Sequence, residues 1–308
     1  MQPAPPEPEP SYRSRRAPRD EERAVRGLAL HLARWPGADP EPWLLLHGWA
    51  DAGATFQFLA DALPDGRTLV APDWRGFGRS AWPADGYWFP DYYADLDALI
   101  TQLSPARPVV LVGHSMGANI AMMYGGIRPE RVRAIVNIEG FGLPPARPEQ
   151  APERYRAWLA EESAPPQFAR FPSHAAFTQY LRRRNPRLTA ERADFVARAW
   201  ACDAPGGGVR MRADPRHKRV NPVLYRREEA EACWRAISAP LLLVVAGDSD
   251  HAARFGGVSP VARMRELVPQ LAPASVADAG HMVHHEQPVA LAAVIEEFIG
   301  ALERPATR

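Results

Sequence analysis

The chain has 308 residues, of which 46% are hydrophobic and 24% charged, and its formal net charge is +1. These values are ordinary for a soluble globular protein and give no global attraction to nucleic acid or an anionic membrane. No apolar run reaches the ~18 residues of a membrane span, and the N-terminus has no apolar signal core. We therefore expect a cytoplasmic protein that binds neither nucleic acid nor a membrane, with one large α/β domain carrying an insertion or two modest domains.

The N-terminal segment, residues 1–24, is rich in Pro, Glu and Arg. Too few apolar groups are present to offset the entropy of ordering, so a disordered tail is predicted. Residues 25–35 then alternate in polarity as an edge strand does. Two cysteines, Cys202 and Cys233, are too few for a disulfide framework, and no Cys/His spacing typical of a metal site lies near them.

A short buried strand over 43–46 ends in His47-Gly48-Trp49. Glycine at this point lets the backbone pass close to a ligand, so the N–H of Trp49 can face a substrate oxygen. His47 is expected to help hold this loop. In the later loop over 73–80, Asp73 and Arg75 are interpreted as pinning the chain through hydrogen bonds and an ion pair.

The most informative stretch is the apolar run 109–112 followed by Gly113-His114-Ser115-Met116-Gly117 and a predicted helix. A serine between two glycines at a strand-to-helix junction is the arrangement of a nucleophile elbow. The turn is too tight for side chains beside a strained, exposed serine. Ser115 is therefore the candidate nucleophile, and His114 its packed neighbour.

The pattern of apolar and polar residues changes at residue 141. Before it, buried strands alternate with helices, which predicts a mostly parallel sheet flanked by helices. Residues 141–236 are rich in Pro and Arg and have helical patterns, and a buried strand resumes at 241–246. We predict a core formed by residues 25–140 and 237–308, with a helical cap over 141–236.

A serine hydroxyl needs a base, and the base needs a group that orients it. His281 follows Gly280 after the last predicted strand and is the candidate base; His284 and His285 are alternatives expected to be exposed. The candidate acid is Asp250, directly after the buried strand 241–246, with Asp248 as the alternative. The chain order Ser, Asp, His matches that of an α/β-hydrolase.

Taken together, these motifs resemble the α/β-hydrolase superfamily with a helical cap, over roughly residues 25–308. The resemblance implies oxyanion donors at the backbone N–H groups of Met116 and Trp49, and an acid three residues after Gly247, which is Asp250. The segments 214–216 and 225–229 are similar to a serine-hydrolase-like branch of the superfamily. Haloalkane dehalogenases and epoxide hydrolases resemble the chain but carry aspartate at the elbow.

The predicted function is hydrolysis of a carboxylic ester or related acyl compound through an acyl-enzyme on Ser115, with no cofactor or metal. The expected substrate is a small acyl compound with an apolar portion, bound near His47, Gly48 and His114. Two alternatives stay open: carbon–carbon bond hydrolysis or a lyase reaction on the same triad, and a ligand-binding module without catalysis. Substrate identity, acyl length and oligomeric state are left open by the sequence.

Overall fold

The computed structural model describes residues 11–250, 255 and 259–304. In these residues the strands are β1 (Arg19–Val25), β2 (Leu28–Trp35), β3 (Trp43–Leu46), β4 (Leu69–Pro72), β5 (Val109–His114), β6 (Val132–Ile138), β7 (Arg170–Phe171), β8 (Ala201–Asp203), β9 (Val209–Met211), β10 (Leu241–Ala246) and β11 (Leu271–Val276). The α-helices are α1 (Gln57–Ala62), α2 (Pro90–Leu103), α3 (Met116–Ile127), α4 (Ala151–Ser163), α5 (His174–Arg184), α6 (Ala190–Trp200), α7 (Arg227–Arg235), α8 (Pro260–Leu267), α9 (Val283–Glu286) and α10 (Pro288–Glu303). Short 3-10 helices span Gly53–Phe56, Pro129–Arg131, Pro148–Gln150 and Pro215–Lys218.

The central sheet has eight strands in the order β1-β2-β4-β3-β5-β6-β10-β11. From β4 to β11 all neighbours are parallel, whereas β1 and β2 are antiparallel to their partners. The chain runs from β3 to β4 on one side and then returns to place β5 on the other side of β3. This reversal puts the ends of β3 and β5 side by side, which is where open α/β sheets bind ligands.

Strands β3, β4 and β5 are buried along their whole length and β10 at all but one residue, as expected for mostly apolar strands covered on both faces. One apolar cluster joins the sheet to α2, α3, α7 and α8, and a second joins the opposite face to α1 and α10. The side chains of Leu111 and Val112, adjacent on β5, belong to the first and second cluster respectively. The predicted sheet flanked by helices is confirmed.

The N-terminal segment differs from its prediction as a disordered tail through residue 24. Residues 19–25 form strand β1, which pairs with β2 in an antiparallel hairpin. The turn uses Arg26 and Gly27, both at positive φ (48° and 82°). Upstream, the Arg16 guanidinium donates to the carbonyl oxygens of Arg67 and Pro36 at 2.8 and 3.0 Å. Main-chain pairing and arginine–carbonyl bonds order this segment, and neither depends on the apolar content from which disorder was predicted.

The segment 141–236 lies between β6 and β10, which are neighbours in the sheet. It contains α4 to α7 and also a small antiparallel sheet, β7-β9-β8, which the sequence analysis did not predict. Phe177, Val196 and Val209 share an apolar cluster with Phe58 of α1. Helix α7 packs on the central sheet through Ala230 and Trp234, so the part of this segment closest to β10 is joined to the core.

In the described part of the chain, no helix is both long enough and apolar enough to cross a membrane.

Candidate active site

Ser115 lies between β5 and α3 with φ 51° and ψ −110°, a backbone conformation that L-residues rarely adopt. The flanking glycines make this turn possible. A Cβ on Gly117 would lie 2.0 Å from the carbonyl oxygen of Leu46, and one on Gly113 would lie 2.5 Å from Cα of Ala118. The Ser115 N–H donates to the carbonyl of Ile138 at 2.9 Å, which fixes the strained residue to the neighbouring strand. Such strain is stored where the surrounding structure enforces it, commonly at active sites.

The structure brings His281 to this serine. Its Nε2 lies 3.0 Å from Ser115 Oγ, although the two residues are 166 positions apart. His114 holds the loop that carries His281, because its Nε2 donates to the His281 carbonyl oxygen at 2.8 Å. His114 is buried, and burial holds its pKa well below the ordinary value, so the ring is a neutral donor. His114 therefore contacts the backbone of the loop that carries His281.

The carboxylate beside His281 belongs to Glu139, which directly follows β6. Its Oε2 lies 3.4 Å from His281 Nδ1. The same carboxylate accepts hydrogen bonds from the N–H of Ala246, at 2.8 Å, and from the hydroxyl of Ser249. Glu139 is 4% exposed and has φ 57°, so the chain turns sharply to direct a buried acid toward the histidine. Serine, histidine and glutamate thus form a continuous line of contacts.

Asp250, predicted as the acid, is placed differently. Its side chain is exposed, and no hydrogen bond or ion pair joins it to His281 within the described residues. Asp248 instead pairs with Arg187 at 2.6 Å on the surface. The loop after β10 still contributes, because Ser249 and the Ala246 N–H hold the Glu139 carboxylate.

A signal for Glu139 is present in the sequence. Like Asp250, it is an acidic residue in the loop that follows a buried strand, and a glycine, Gly140, comes next in the chain. The carboxyl ends of β6 and β10 meet at the same sheet edge, so either acid could reach His281. Both acids lie between Ser115 and His281, so chain order does not separate them. Asp250 was predicted because the resemblance implies an acid three residues after Gly247, and only the three-dimensional structure distinguishes the two.

The loop after β3 lies against the elbow. A Cβ on Gly48 would approach His114 Nδ1 to 3.0 Å and Ser115 Cβ to 3.3 Å, so glycine allows the backbone to pass this closely. Trp49 follows, and Met116 is the first residue of α3. Met116 thus follows Ser115 directly in the chain, and Trp49 follows the glycine that approaches Ser115 from the neighbouring strand.

His47 is fully buried, and burial lowers its pKa. Its Nε2 accepts the backbone N–H of Trp74 at 2.9 Å, so the proton is assigned to Nδ1, which donates to the Gly48 carbonyl at 2.7 Å. His47 thereby links the β3 and β4 loops. Asp73 reinforces the same junction by accepting the N–H groups of Gly53 and Arg79 at 2.7 and 2.8 Å, which is the pinning role predicted for it.

His284 and His285, expected at the surface, are both fully buried. They lie in α9, three and four residues after His281, and stand beside the carboxylate of Asp51. Neither ring reaches Ser115 through a hydrogen bond within the described residues. Within the described residues, Asp51, His284 and His285 form a cluster whose donor atoms are close enough to share a metal ion.

An elbow serine, a histidine from the last strand's loop and a buried carboxylate at the carboxyl edge of a mostly parallel sheet define the class of α/β-hydrolases. A family model described as the alpha/beta hydrolase fold matches residues 41–288, and the chain belongs to this family. It is similar to the serine hydrolase-like protein of Danio rerio, with 27% identity covering 86% of this chain and 83% of that protein. It is also similar to the 3-hydroxybutyrate-oligomer hydrolase of Cupriavidus necator, at 30% identity with coverages of 86% and 90%.

Among solved structures, a hypothetical protein of Pseudomonas aeruginosa PAO1 superposes with a TM-score of 0.80 at 24% identity. The superposition covers 92% of this chain and 99% of that one, and it demonstrates the shared fold. Fold and family together establish a hydrolase of the α/β class.

Proposed function

We propose that the protein is a serine hydrolase that cleaves a carboxylic ester or related acyl compound through an acyl-enzyme on Ser115. The observation that carries the proposal is the 3.0 Å contact between Ser115 Oγ and His281 Nε2 at a strained elbow. A hydroxyl is a weak nucleophile until a base within hydrogen-bond reach takes its proton. A strained, glycine-flanked serine held against a histidine has this requirement met before substrate arrives.

In the proposed mechanism, Ser115 Oγ attacks the acyl carbon as His281 Nε2 takes the hydroxyl proton. Glu139, at His281 Nδ1, orients the ring and stabilises the imidazolium that forms. The N–H groups of Trp49 and Met116 bind the developing oxyanion, each worth roughly 3–4 kcal/mol of transition-state stabilisation. His281 then protonates the leaving alcohol, and a water activated by the same histidine releases the acid.

An apolar portion of the substrate is proposed to lie over the indole of Trp49. Trp49 is 49% exposed although its backbone belongs to the candidate oxyanion loop. Phe168, from the segment 141–236, lies with its ring centroid 6.1 Å from that of Trp49. The name of the Cupriavidus relative, a hydrolase of 3-hydroxybutyrate oligomers, supports a choice of short hydroxyacyl esters among the first substrates tested.

Covalent labelling with a fluorophosphonate, followed by intact mass measurement, tests the proposal. We expect one adduct on the wild-type protein and none on Ser115→Ala, followed by turnover of at least one member of a panel of esters of graded acyl length. The absence of an adduct on folded wild-type protein would contradict an activated serine and favour the ligand-binding alternative. Labelling without turnover of any ester would direct the search to carbon–carbon bond cleavage, tested by product analysis with a dienoic diketone acid.

A further inference from the structure

We propose that Asp51, His284 and His285 form a binding site for one divalent transition-metal ion, for which Zn²⁺ is the probe. Asp51 lies in the loop after β3, and the two histidines lie in α9. The site shares no residue with the proposed triad, although the ring of His284 packs against that of His114, with centroids 4.4 Å apart. The proposal is independent of the proposed hydrolytic function.

The donor atoms are close to the spacing that a small ion imposes. Asp51 Oδ2 lies 3.3 Å from His284 Nε2 and 4.0 Å from His285 Nε2. One ligand atom from each of the three residues lies within 4.8 Å of one from each of the others. A tetrahedral ion with bonds of about 2.0–2.2 Å places its ligands roughly 3.3–3.5 Å apart. Modest side-chain adjustments therefore suffice to bring three ligands onto one ion.

The second observation is an unmet bonding requirement at His285. Both of its ring nitrogens are buried and have no hydrogen-bond partner in the described part of the chain. Asp51 Oδ1 is already occupied by Trp200 Nε1, at 2.7 Å, and Thr55 Oγ1, at 2.6 Å, while His284 Nε2 is the ring nitrogen directed at Oδ2. Buried polar atoms are normally paired, so a histidine left unpaired beside a carboxylate needs an explanation. An ion bonded to His285 Nε2 supplies the missing partner.

The protonation states suit a metal ligand set. Burial lowers the pKa of His285 to about 3, so its imidazole is neutral at neutral pH. Burial alone would raise the pKa of Asp51, but the hydrogen bond with His284 and the neighbouring imidazoles outweigh it and hold that pKa well below the ordinary value. Neutral imidazole and ionised carboxylate are the forms in which these side chains bind metals.

Two nitrogen donors and one carboxylate favour Zn²⁺, Co²⁺ or Ni²⁺ over Mg²⁺ and Ca²⁺, which take oxygen ligands. Three protein donors leave a fourth position for water, as in open zinc sites. The Nδ1 atoms of both histidines have no partner within the described residues, although ligating histidines usually donate this proton to an acceptor. We therefore expect affinity about 10- to 100-fold weaker than that of a site with such partners.

The experiment uses the untagged full-length protein, freed of metal with EDTA and then titrated with Zn²⁺ or Co²⁺. Bound metal is measured by elemental analysis after dialysis, the ligand field by the visible absorption of Co²⁺, and stability by thermal unfolding. The test variants are His285→Phe, which removes a donor while keeping a planar ring, and Asp51→Asn. The control is His174→Phe, a histidine of α5 outside the cluster.

We expect one ion per chain, a Co²⁺ spectrum of a low-coordinate nitrogen and oxygen site, and a higher unfolding temperature with Zn²⁺ in the wild type and in His174→Phe. In His285→Phe the affinity should fall at least tenfold. Absence of binding by the wild type, or equal affinity in His285→Phe, would overturn the proposal. If His285→Phe fails to fold by circular dichroism, the decision passes to Asp51→Asn and to the wild-type Co²⁺ spectrum, whose absence is likewise fatal.

Discussion

At the scale of single residues, Glu139 and Asp250 are the two candidates for the acid that orients His281. Glu139 is buried and lies 3.4 Å from His281 Nδ1, whereas Asp250 is exposed. We predict that Glu139→Gln lowers kcat/KM by about 10²- to 10⁴-fold, because an amide neither stabilises the imidazolium nor enforces the tautomer. Asp250→Asn serves as the matched control and should change kcat/KM by less than about threefold. The two variants are compared on the ester that wild-type protein turns over fastest.

The comparison has a second readout. Fluorophosphonate labelling of Glu139→Gln should be slowed along with turnover, since both reactions require Ser115 to lose its proton to His281. Far-ultraviolet circular dichroism checks that each variant is folded. A larger loss in Asp250→Asn than in Glu139→Gln would reverse the assignment of the acid.

Glycines in two settings make a paired test of the elbow. At Gly117 an added Cβ would lie 2.0 Å from the Leu46 carbonyl oxygen, whereas at Gly300 in α10 it would meet nothing within 4 Å. We predict that Gly117→Ala destabilises the protein by about 1–3 kcal/mol, because backbone must move to relieve the clash. Gly300→Ala should stabilise it by about 0.5–1 kcal/mol, since alanine restricts the unfolded chain and favours helix. Urea unfolding of both variants measures the two signs, and a neutral Gly117→Ala would show that the elbow is less constrained than its geometry indicates.

At the scale of elements, the N-terminal arginines offer a test of the ordered segment before β1. Arg16 donates to several carbonyl oxygens, among them that of Arg67 at 2.8 Å, and its side chain is 9% exposed. We predict that Arg16→Ala lowers the free energy of unfolding by about 1–3 kcal/mol, the range for charge-assisted hydrogen bonds whose acceptors lose their partner. Arg13→Ala, an exposed arginine of the same segment, should stay within about 0.5 kcal/mol of wild type. Equal unfolding temperatures for the two variants would show that these contacts contribute no stability.

The elements that the sequence predicted well are those whose pattern reflects burial on both sides. Strands β3, β5 and β10 are mostly apolar runs with proline before them and glycine at or near their end, and such runs occur where helices cover both faces of a sheet. Strand β1 was missed because its residues are mostly charged, and pairing with β2 is a main-chain property that side-chain patterns do not record. The small sheet β7-β9-β8 was missed for a related reason, because strands of two or three residues are too short for any periodicity.

The same distinction applies to the candidate site. Ser115 and His281 were predicted because each depends on local chain geometry, a glycine-flanked turn and a loop after a strand. The identity of the acid and the burial of His284 and His285 depend on which loops meet in space. Neighbouring strand ends bring β6, β10 and β11 to one edge, and a sequence read in chain order does not choose among their loops.

On the scale of the whole molecule, buried histidines make stability depend on pH. Burial lowers the pKa values of His47 and His114, and lowers those of His217 and His285 to about 3. These rings are neutral in the folded state, whereas in the unfolded chain they gain a proton near their ordinary pKa of about 6.5. At these four positions the unfolded state therefore binds more protons below that pH, and their contribution to the free energy of unfolding falls as the solution is acidified.

The contribution of one ring can be isolated at His285. It has no hydrogen bond to lose among the described residues, so His285→Phe removes a titrating group with little change in packing. Between pH 6 and pH 4, above its folded pKa of about 3, wild-type stability should fall more steeply than that of the variant. The difference should approach one proton, or about 1.4 kcal/mol per pH unit. Urea unfolding followed by tryptophan fluorescence at each pH, with EDTA present so that no ion occupies the Asp51 cluster, measures the two slopes. Parallel slopes would mean that His285 binds a proton in the folded state, which requires its ring to be paired with the Asp51 carboxylate as a buried cation.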